Sequence, residues 1–275
     1  MTDRYAVIGN PVAHSRSPLI HAAFARQTGE AIEYGTLLAP RDGFTQTAAE
    51  FRAAGGKGLN VTVPFKFDAF TFAEELTPRA RHAGAVNTLK FSGGKVLGDN
   101  TDGVGLVRDI RDNLRCRIAG RRVLLMGAGG AAHGVVHPLV AERPAALMIA
   151  NRTAARADAL AGELRAGTPE SETVITGGGY DTLTGEFDIV INATAASLEG
   201  DVPPLPEHVF APGALAYDMM YGREPTPFLR LAAQRGVDRL ADGIGMLVEQ
   251  AAESFFVWRG VRPQTAPVIA TLKKT

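Results

Sequence analysis

A lysine stands in an unusual position, directly after an apolar run in the first quarter of the chain. The segment reads Asn60-Val61-Thr62-Val63-Pro64-Phe65-Lys66, and Phe67 follows it. Only six lysines occur in the whole chain, so one flanked by two phenylalanines is conspicuous. An ammonium group partly shielded from water can take up and release protons in a reaction. Lys66 is therefore a candidate general acid and base, although a surface lysine with its stem laid over apolar neighbours gives the same pattern.

Hydroxyl, amide and carboxyl side chains occur at other points where predicted strands end. Ser15 and Ser17 precede Pro18, and two hydroxyls at the first turn of a helix suit a carboxylate ligand. Ser17 before Pro18 also suits an ordinary helix cap with proline at the first helical position. Asn87 and Asp102 follow further along the chain, where an aspartate can equally serve as a turn or cap residue.

A glycine-rich loop follows a second apolar run, Val123–Met126. The loop reads Gly-Ala-Gly-Gly-Ala-Ala and matches the G-x-G-x-x-A pattern of a dinucleotide-binding turn between a strand and a helix. Gly127 would allow the tight turn, Gly129 would let the backbone approach a pyrophosphate, and Ala132 would let the helix pack closely on the strand. Because glycine is abundant in this chain, a strand-to-helix turn without a ligand stays an alternative.

The residues after the next predicted strand, Ala145–Ala150, indicate which dinucleotide would bind. An NAD site places an acid there for the ribose hydroxyl, whereas an NADP site places cations for the 2′-phosphate. The chain reads Asn151-Arg152-Thr153-Ala154-Ala155-Arg156, which contains no acid. Two guanidinium groups four residues apart would lie on one helix face if the helix begins near Thr153, and both can bind a phosphate. The pattern favours NADP, unless Arg152 and Arg156 are ordinary solvated arginines.

Strand-like and helix-like segments alternate from one end of the chain to the other. Alternation at this spacing predicts βαβ units and largely parallel sheets. A Ser-Gly-Gly turn at residues 92–94 predicts an antiparallel hairpin between its flanking strands. The predicted strands are 4–8, 32–38, 58–63, 85–91, 95–97, 121–126 and 145–150. The predicted helices are 18–28, 44–54, 102–114, 131–142, 245–258 and 266–272.

The alternating pattern restarts near residue 102, which predicts two α/β domains joined near residues 100–103. Pro138 falls inside a predicted helix and should kink it. The segment 166–179 is rich in Gly, Thr, Ser and Glu, so we expect a solvated connection there.

Composition and charge exclude several classes of protein. The 275 residues contain 29 Lys and Arg against 29 Asp and Glu, and zero net charge argues against a nucleic-acid binder. One cysteine, Cys116, allows no intrachain disulfide, so we expect a reducing cytoplasm. The first residues lack a signal-peptide pattern, and no apolar run is long enough to cross a membrane. Histidine and cysteine lack the spacing of metal ligands, so we expect no metal site.

Nine short motifs occur in the order found in one family. Together they closely resemble the shikimate dehydrogenases, which reduce 3-dehydroshikimate with NADPH in aromatic amino-acid biosynthesis. No single motif decides this, but nine in register over nearly the whole chain are specific. The motifs lie at residues 15–18, 60–66, 85–88, 100–103, 127–132, 151–156, 192–194, 218–221 and 242–252.

The resemblance implies a two-domain architecture. A mixed, mostly parallel α/β domain of residues 1–101, joined by returning C-terminal helices at 244–275, would bind the substrate. Residues 102–243 would form a Rossmann-type NADP-binding domain, and a cleft between the domains would hold both substrates. The partners implied are shikimate or 3-dehydroshikimate, with no nucleic acid and no membrane, and the protein would be a monomer or a homodimer.

The resemblance also implies roles for individual residues. Lys66 would exchange a proton with the oxygen at the reacting carbon, and Asp102 would bind a neighbouring hydroxyl and hold the lysine in place. Carboxylate ligands would be Ser15, Ser17 and Tyr221, and ligands of the ring hydroxyls would be Thr62, Asn87 and Gln250. Cofactor ligands would be Gly127, Ala128, Gly129, Gly130, Ala131, Ala132, Asn151, Arg152, Thr153, Arg156, Thr194, Met219 and Gly243.

One departure and three alternatives accompany this interpretation. After Thr194 the family often carries serines and a glycine, but this chain reads Ala195-Ala196-Ser197-Leu198, which would alter loop contacts with the cofactor. A quinate/shikimate dehydrogenase that prefers NAD would want an acid near Arg152. A non-catalytic metabolite sensor would not need both Lys66 and Asp102. Another two-domain NADP enzyme, such as a folate-linked dehydrogenase, would not explain the polar substrate set.

Overall fold

The computed structural model describes residues 2–194 and 203–274, and these form two compact units. The first unit comprises Met1–Gly105 and Leu247–Lys274, and the second comprises Leu106–Met246. Each unit contains one six-stranded sheet, so the predicted α/β fold class is confirmed. The Ala195–Leu198 segment lies outside the described residues. No helix in the described ranges is long and apolar enough to cross a membrane.

The first unit has a mixed sheet in the order β2-β1-β3-β5-β6-β4. Its strands are β1 (Asp3–Gly9), β2 (Ile32–Leu38), β3 (Gly56–Val61), β4 (Glu75–Leu76), β5 (Thr88–Ser92) and β6 (Lys95–Asp99). Its helices are α1 (Ser17–Thr28), α2 (Phe44–Ala53), α3 (Lys66–Phe72), α4 (Pro78–Ala83), α5 (Asp102–Arg108), α9 (Ile244–Arg259) and α10 (Ala266–Leu272). Helices α5 and α9 each cross a boundary between the units.

The pairing of these strands places several chain segments at one sheet edge. Strand β1 pairs in parallel with β2 and β3, whereas β5 is antiparallel to β3 and β6. The predicted hairpin is confirmed, and its turn residues Gly93 and Gly94 have φ of 59° and 77°, a conformation that favours glycine. The end of β3, the start of β5 and the end of β6 therefore meet at the same edge. The predicted site residues 62, 66, 87 and 102 all follow or precede these strand ends.

The second unit has a wholly parallel sheet in the order β12-β11-β10-β7-β8-β9. This is the strand order of a dinucleotide-binding sheet, in which the direction of winding reverses between the first and fourth strands, here β7 and β10. The strands are β7 (Arg122–Met126), β8 (Ala146–Ala150), β9 (Val174–Gly178), β10 (Phe187–Asn192), β11 (Phe210–Asp218) and β12 (Arg239–Ala241). The helices are α6 (Gly130–Ala141), α7 (Ala154–Gly167) and α8 (Pro227–Gln234).

Two local expectations need correction. The segment 166–179 is not an unstructured connection, because it contains β9, an edge strand that pairs with β8. The helix predicted at 102–114 ends as α5 at Arg108 and continues as a wider π-type turn over Asp109–Asn113. Pro138 lies inside α6, as predicted.

Candidate active site

Lys66 and Asp102 form an ion pair in the first unit. The Nζ of Lys66 donates to Oδ2 of Asp102 at 2.6 Å, and the side chains are 30% and 14% exposed. Among the described residues, Asp102 is the only hydrogen-bond partner of this ammonium. The backbone N–H of Asp102 donates to Oδ1 of Asn100, which fixes the start of α5. The Lys66 ammonium is thus a charged hydrogen-bond donor that Asp102 holds in place and that stays partly exposed to a ligand.

Asn87 connects this pair to helix α9. Its Nδ2 donates to Oδ1 of Asp102 at 2.8 Å and lies 3.4 Å from Oε1 of Gln250. The backbone N–H of Thr101 donates to Oδ1 of Asn87 at 2.9 Å. Because a backbone N–H can only donate and a carboxylate can only accept, these two contacts determine which way the Asn87 amide points.

An arginine cluster holds helix α9 against this part of the first unit. Arg79 binds both carboxylate oxygens of Asp99 at 2.6 and 2.7 Å, and its third nitrogen donates to Glu253 at 2.9 Å. Arg262 binds the other oxygen of Glu253 at 2.7 Å. Bidentate guanidinium–carboxylate pairs combine charge with fixed geometry. This cluster places Gln250, one helical turn before Glu253, near the end of β6.

The hydroxyl-bearing candidates lie at the ends of β1 and β3. Ser17 is buried and is the first residue of α1, and the cap position is Arg16, so the alternative role of Ser17 as a helix cap is wrong. Burial raises the pKa of Tyr34, and the nearby Ser17 side chain opposes that rise. The Oγ of Ser15 accepts from the backbone N–H of Ser17 at 3.3 Å. Thr62 is half-buried, and its hydroxyl has no hydrogen-bond partner among the described residues.

Tyr221 belongs to the second unit, whereas the other five predicted substrate ligands belong to the first. It lies half-buried just after β11. Met219 and Gly243 also lie in this unit and contact each other: a Cβ on Gly243 would collide with the carbonyl oxygen of Met219. Only glycine fits at position 243 without displacing the backbone of the segment after β11.

The glycine-rich loop lies at the switch point of the parallel sheet. Gly127 follows β7 with φ of 109°, and a Cβ there would lie 3.1 Å from Cγ2 of Thr194, which follows β10. Gly129 is exposed, with open space where a side chain would be. Ala132 is fully buried in α6 against the sheet. The remaining loop positions, Ala128, Gly130 and Ala131, lie on or beside the exposed start of α6.

These observations fit a dinucleotide. The crevice at a switch point is where open α/β sheets bind ligands, and the free N–H groups at the start of α6 suit a pyrophosphate. Thr194 is held in place because both its N–H and its hydroxyl donate to Oδ1 of Asn192, at 3.1 and 2.7 Å. The buried alanine and the open glycine are also the residues that the fingerprint requires.

Asn151, Arg152, Thr153 and Arg156 follow β8 in the same sheet. Asn151 bonds across to β9 through its backbone and to the carbonyl of Thr153 through its side chain. The expectation that Arg152 and Arg156 share a helix face is wrong. Helix α7 begins at Ala154, so Arg152 precedes the helix. Both guanidinium groups are exposed and have no carboxylate partner among the described residues. Burial raises the pKa of Tyr180 to about 12, and the nearby positive charge of Arg152 opposes that rise.

Sequence reasoning missed a set of buried polar residues beside Asn87. Asn60, Thr88 and Ser254 lie within hydrogen-bond distance of one another. The sequence offered only weak evidence for them. Asn60 and Thr88 lie in motifs in which Lys66 and Asn87 were the residues assigned a role. Ser254 lies one helical turn after Gln250 and therefore shares its helix face.

Comparisons with known proteins decide the family. Three family models match: Shikimate dehydrogenase substrate binding domain at residues 7–89, Shikimate / quinate 5-dehydrogenase at 109–199, and Shikimate 5′-dehydrogenase C-terminal domain at 243–273. A Nitrosospira multiformis protein named shikimate dehydrogenase (NADP(+)) is 61% identical, covering 100% of this chain and 98% of that relative. The chain belongs to the shikimate dehydrogenase family.

Solved structures of shikimate dehydrogenases and their relatives share this fold. An Ael1 enzyme from Pseudomonas putida superposes with a TM-score of 0.92 at 50% identity and covers 98% of both chains. Shikimate 5-dehydrogenase from Thermus thermophilus, in complex with NADP(H) and shikimate, has a TM-score of 0.86 at 30% identity over 99% of both chains. The likeness therefore extends across both units of the chain.

Proposed function

We propose that this chain catalyses the reversible, NADPH-dependent reduction of 3-dehydroshikimate to shikimate in the pathway to chorismate and the aromatic amino acids. The observation that carries the proposal is the Lys66–Asp102 ion pair, with Asn87 bound to the same carboxylate. This arrangement provides one proton donor and several fixed hydrogen-bonding groups beside it. Relatives of about 60% identity named shikimate dehydrogenase (NADP(+)) support the assignment.

Lys66 is the residue that handles the proton. In reduction, NADPH supplies a hydride to the carbonyl carbon. The Lys66 ammonium stabilises the negative charge that builds on the carbonyl oxygen and gives that oxygen a proton. Asp102 holds the ammonium at 2.6 Å and accepts a hydrogen bond from a neighbouring substrate hydroxyl. In oxidation the neutral amine takes the proton back.

The remaining polar candidates recognise the substrate by binding its polar groups. The half-buried Thr62 hydroxyl, the Asn87 amide and the Gln250 amide bind ring hydroxyls, and Ser15, Ser17 and Tyr221 bind the carboxylate. A site built from such donors and acceptors rejects analogues that leave its polar groups unpaired. Residues 1–101 with 244–275 form the substrate-binding domain in this assignment.

The second domain, residues 102–243, binds the cofactor. The backbone of residues 127–132 surrounds the pyrophosphate, while Arg152 and Arg156 bind the 2′-phosphate beside Asn151 and Thr153. Thr194, Met219 and Gly243 line the nicotinamide half of the site. Two guanidinium groups without a carboxylate partner in the described ranges, and no acid at this place, support NADP over NAD. We place the enzyme in the cytoplasm, as a monomer or homodimer that acts on small molecules and not on nucleic acid or membranes.

Initial rates with four substrate pairs test the proposal. Shikimate and quinate are each offered with NADP⁺ and with NAD⁺, and we expect the highest kcat/KM for shikimate with NADP⁺. A preference for quinate with NAD⁺ would establish the alternative dehydrogenase. Shikimate binding by calorimetry without turnover of any pair would favour the metabolite-sensing alternative.

A further inference from the structure

A buried polar network lies beside Asn87. We define the inner network as Asn60, Thr88 and Ser254. All three side chains are polar, uncharged and buried. The Nδ2 of Asn60 lies 2.9 Å from the Ser254 hydroxyl and 3.2 Å from the Thr88 hydroxyl. The two hydroxyls lie 2.8 Å apart. Buried polar groups are costly unless they are paired, so a set this well connected calls for an explanation.

The orientation of Asn60 is determined by its neighbours. The Tyr34 hydroxyl donates to Oδ1 of Asn60 at 2.7 Å, and Nε2 of His21 lies 3.1 Å from the same oxygen. The His21 ring stacks on Tyr34 with centroids 4.1 Å apart, which holds both groups in place. With its oxygen occupied, Asn60 can only donate towards Thr88 and Ser254.

The Thr88 hydroxyl lies within hydrogen-bond distance of two acceptors, Oδ1 of Asn87 at 2.9 Å and the Ser254 hydroxyl at 2.8 Å. Because Asn87 Oδ1 can only accept, Thr88 donates to it. This bond and the Thr101 backbone N–H both hold the Asn87 oxygen, and they turn its Nδ2 towards Oδ1 of Asp102.

Ser254 ties the same network to helix α9. Its hydroxyl accepts from Asn60 and lies 3.0 Å from the backbone carbonyl of Gln250, one turn earlier in the helix. The side-chain oxygen of Gln250 in turn lies 3.4 Å from Nδ2 of Asn87. The inner network thus contacts both the amide and the helix that flank the ion pair.

We infer that Asn60, Thr88 and Ser254 are positioning residues for the reaction. Together with the Thr101 backbone N–H they hold the Asn87 amide in its direction, so that Asn87 donates to Asp102 and Asp102 keeps Lys66 in the orientation for proton transfer. They touch neither substrate nor cofactor in this assignment. The inference rests on the proposed function, because it takes the Lys66–Asp102 pair as the reacting centre.

A pair of substitutions at Thr88 tests the inference. Thr88→Val keeps the shape and removes the proton, whereas Thr88→Ser keeps the hydroxyl. We expect Thr88→Val to lower kcat for shikimate oxidation about tenfold or more, with the KM for NADP⁺ nearly unchanged. Thr88→Ser should stay within about threefold of the parent enzyme. Equal rates for the two variants would overturn the inference, while activity of the parent enzyme on shikimate would leave the proposed function standing.

A double-mutant cycle separates positioning from general loosening of the fold. In an Asn87→Ala background the Thr88 hydroxyl can no longer donate to Asn87, so adding Thr88→Val should change kcat by less than about twofold. A full tenfold loss in that background would mean that Thr88 acts otherwise than through Asn87. A crystal structure of Thr88→Val gives a readout independent of activity. An unchanged contact of 2.8 Å between Asn87 Nδ2 and Asp102 Oδ1 would also overturn the inference.

Discussion

Lys66 is the first residue of α3 and Asp102 is the first residue of α5, so the ion pair between them joins the starts of two helices. Neither residue depends on a long flexible loop for its position. The carbonyl of Lys66 also accepts a hydrogen bond from the backbone N–H of Val86, next to Asn87. The three polar groups of the proposed centre are therefore fixed by backbone structure as well as by their side chains.

Removing the ammonium should separate binding from turnover. We expect Lys66→Ala to lower kcat by about 10²- to 10⁴-fold, the usual range for loss of a general acid or base, and to change shikimate affinity far less. Steady-state rates and calorimetry with shikimate measure the two effects. Lys57→Ala, at an exposed lysine of the same unit, is the matched control and should leave both unchanged. Undiminished turnover of Lys66→Ala would remove this residue from the chemistry.

Arg152 should distinguish the two cofactors. Because a guanidinium binds a phosphate that NAD⁺ lacks, Arg152→Ala should raise the KM for NADP⁺ by about tenfold and leave that for NAD⁺ nearly unchanged. The exposed Arg117 of the same unit provides the control substitution. An equal rise for both cofactors would show that Arg152 does not contact the 2′-phosphate.

Two glycines of the cofactor loop should respond differently to alanine. Gly129 has an ordinary negative φ and open space where a side chain would be, so Gly129→Ala should keep the melting temperature. It should weaken NADP⁺ binding, because we propose that the backbone here lies against the pyrophosphate. Gly127 has φ of 109°, and a Cβ there would lie 3.1 Å from Cγ2 of Thr194. Gly127→Ala should therefore lower the unfolding free energy by about 1 kcal/mol or more, in addition to weakening NADP⁺ binding. Differential scanning fluorimetry and NADP⁺ titration measure these effects. Unweakened binding by Gly129→Ala would place the cofactor elsewhere.

His21 should make the first unit sensitive to acid. Burial lowers the pKa of His21 to about 3, from an ordinary value of 6.5. Below pH 6.5 the unfolded chain binds a proton on this imidazole that the folded chain does not. Stability is therefore lost as pH falls from 6.5 towards 3, and His21 has no such effect above that range. One pH unit within the range corresponds to about 1.4 kcal/mol.

The measurement is urea unfolding followed by fluorescence of Trp258, the single tryptophan, which lies in the first unit. From about pH 7.5 to about pH 5 the parent protein should lose about 2 kcal/mol more unfolding free energy than His21→Gln does. His14→Asn, at an exposed histidine of the same unit, should behave like the parent. Parallel pH profiles for the parent and His21→Gln would contradict a buried neutral imidazole.

The alternation of strands and helices could be predicted from the sequence, whereas the roles of the candidate site residues came mainly from the family resemblance and stay predictions. Hydrophobic periodicity and turn residues reflect local structure. A Gly-Gly turn, or a glycine-rich loop after an apolar strand, can therefore be recognised from about a dozen residues. Strand β9 was missed because an edge strand is half exposed: Val174 points into solvent, and the Thr and Gly residues around it are typical of loops.

The inner network could not be predicted, for a different reason. Asn60 and Ser254 are 194 residues apart, and no periodic pattern in either segment marks them as partners. Their contact arises only when helix α9 packs beside β3 and β5 in the first unit. Buried polar pairing is a property of the folded chain, and sequence patterns report mainly which faces are apolar.

The discontinuity of the first unit has a consequence for synthesis on the ribosome. Trp258 of α9 packs against Gly58 and donates to the carbonyl of Leu89, so this helix packs against the sheet of the first unit. About 140 residues, Leu106–Met246, must be translated between the two parts. At roughly 5–20 residues per second, the nascent sheet waits roughly seven to thirty seconds for its covering helix. During that time an apolar sheet face is available to chaperones, and a stop codon before Leu247 would yield a polypeptide whose second unit folds and whose first cannot close.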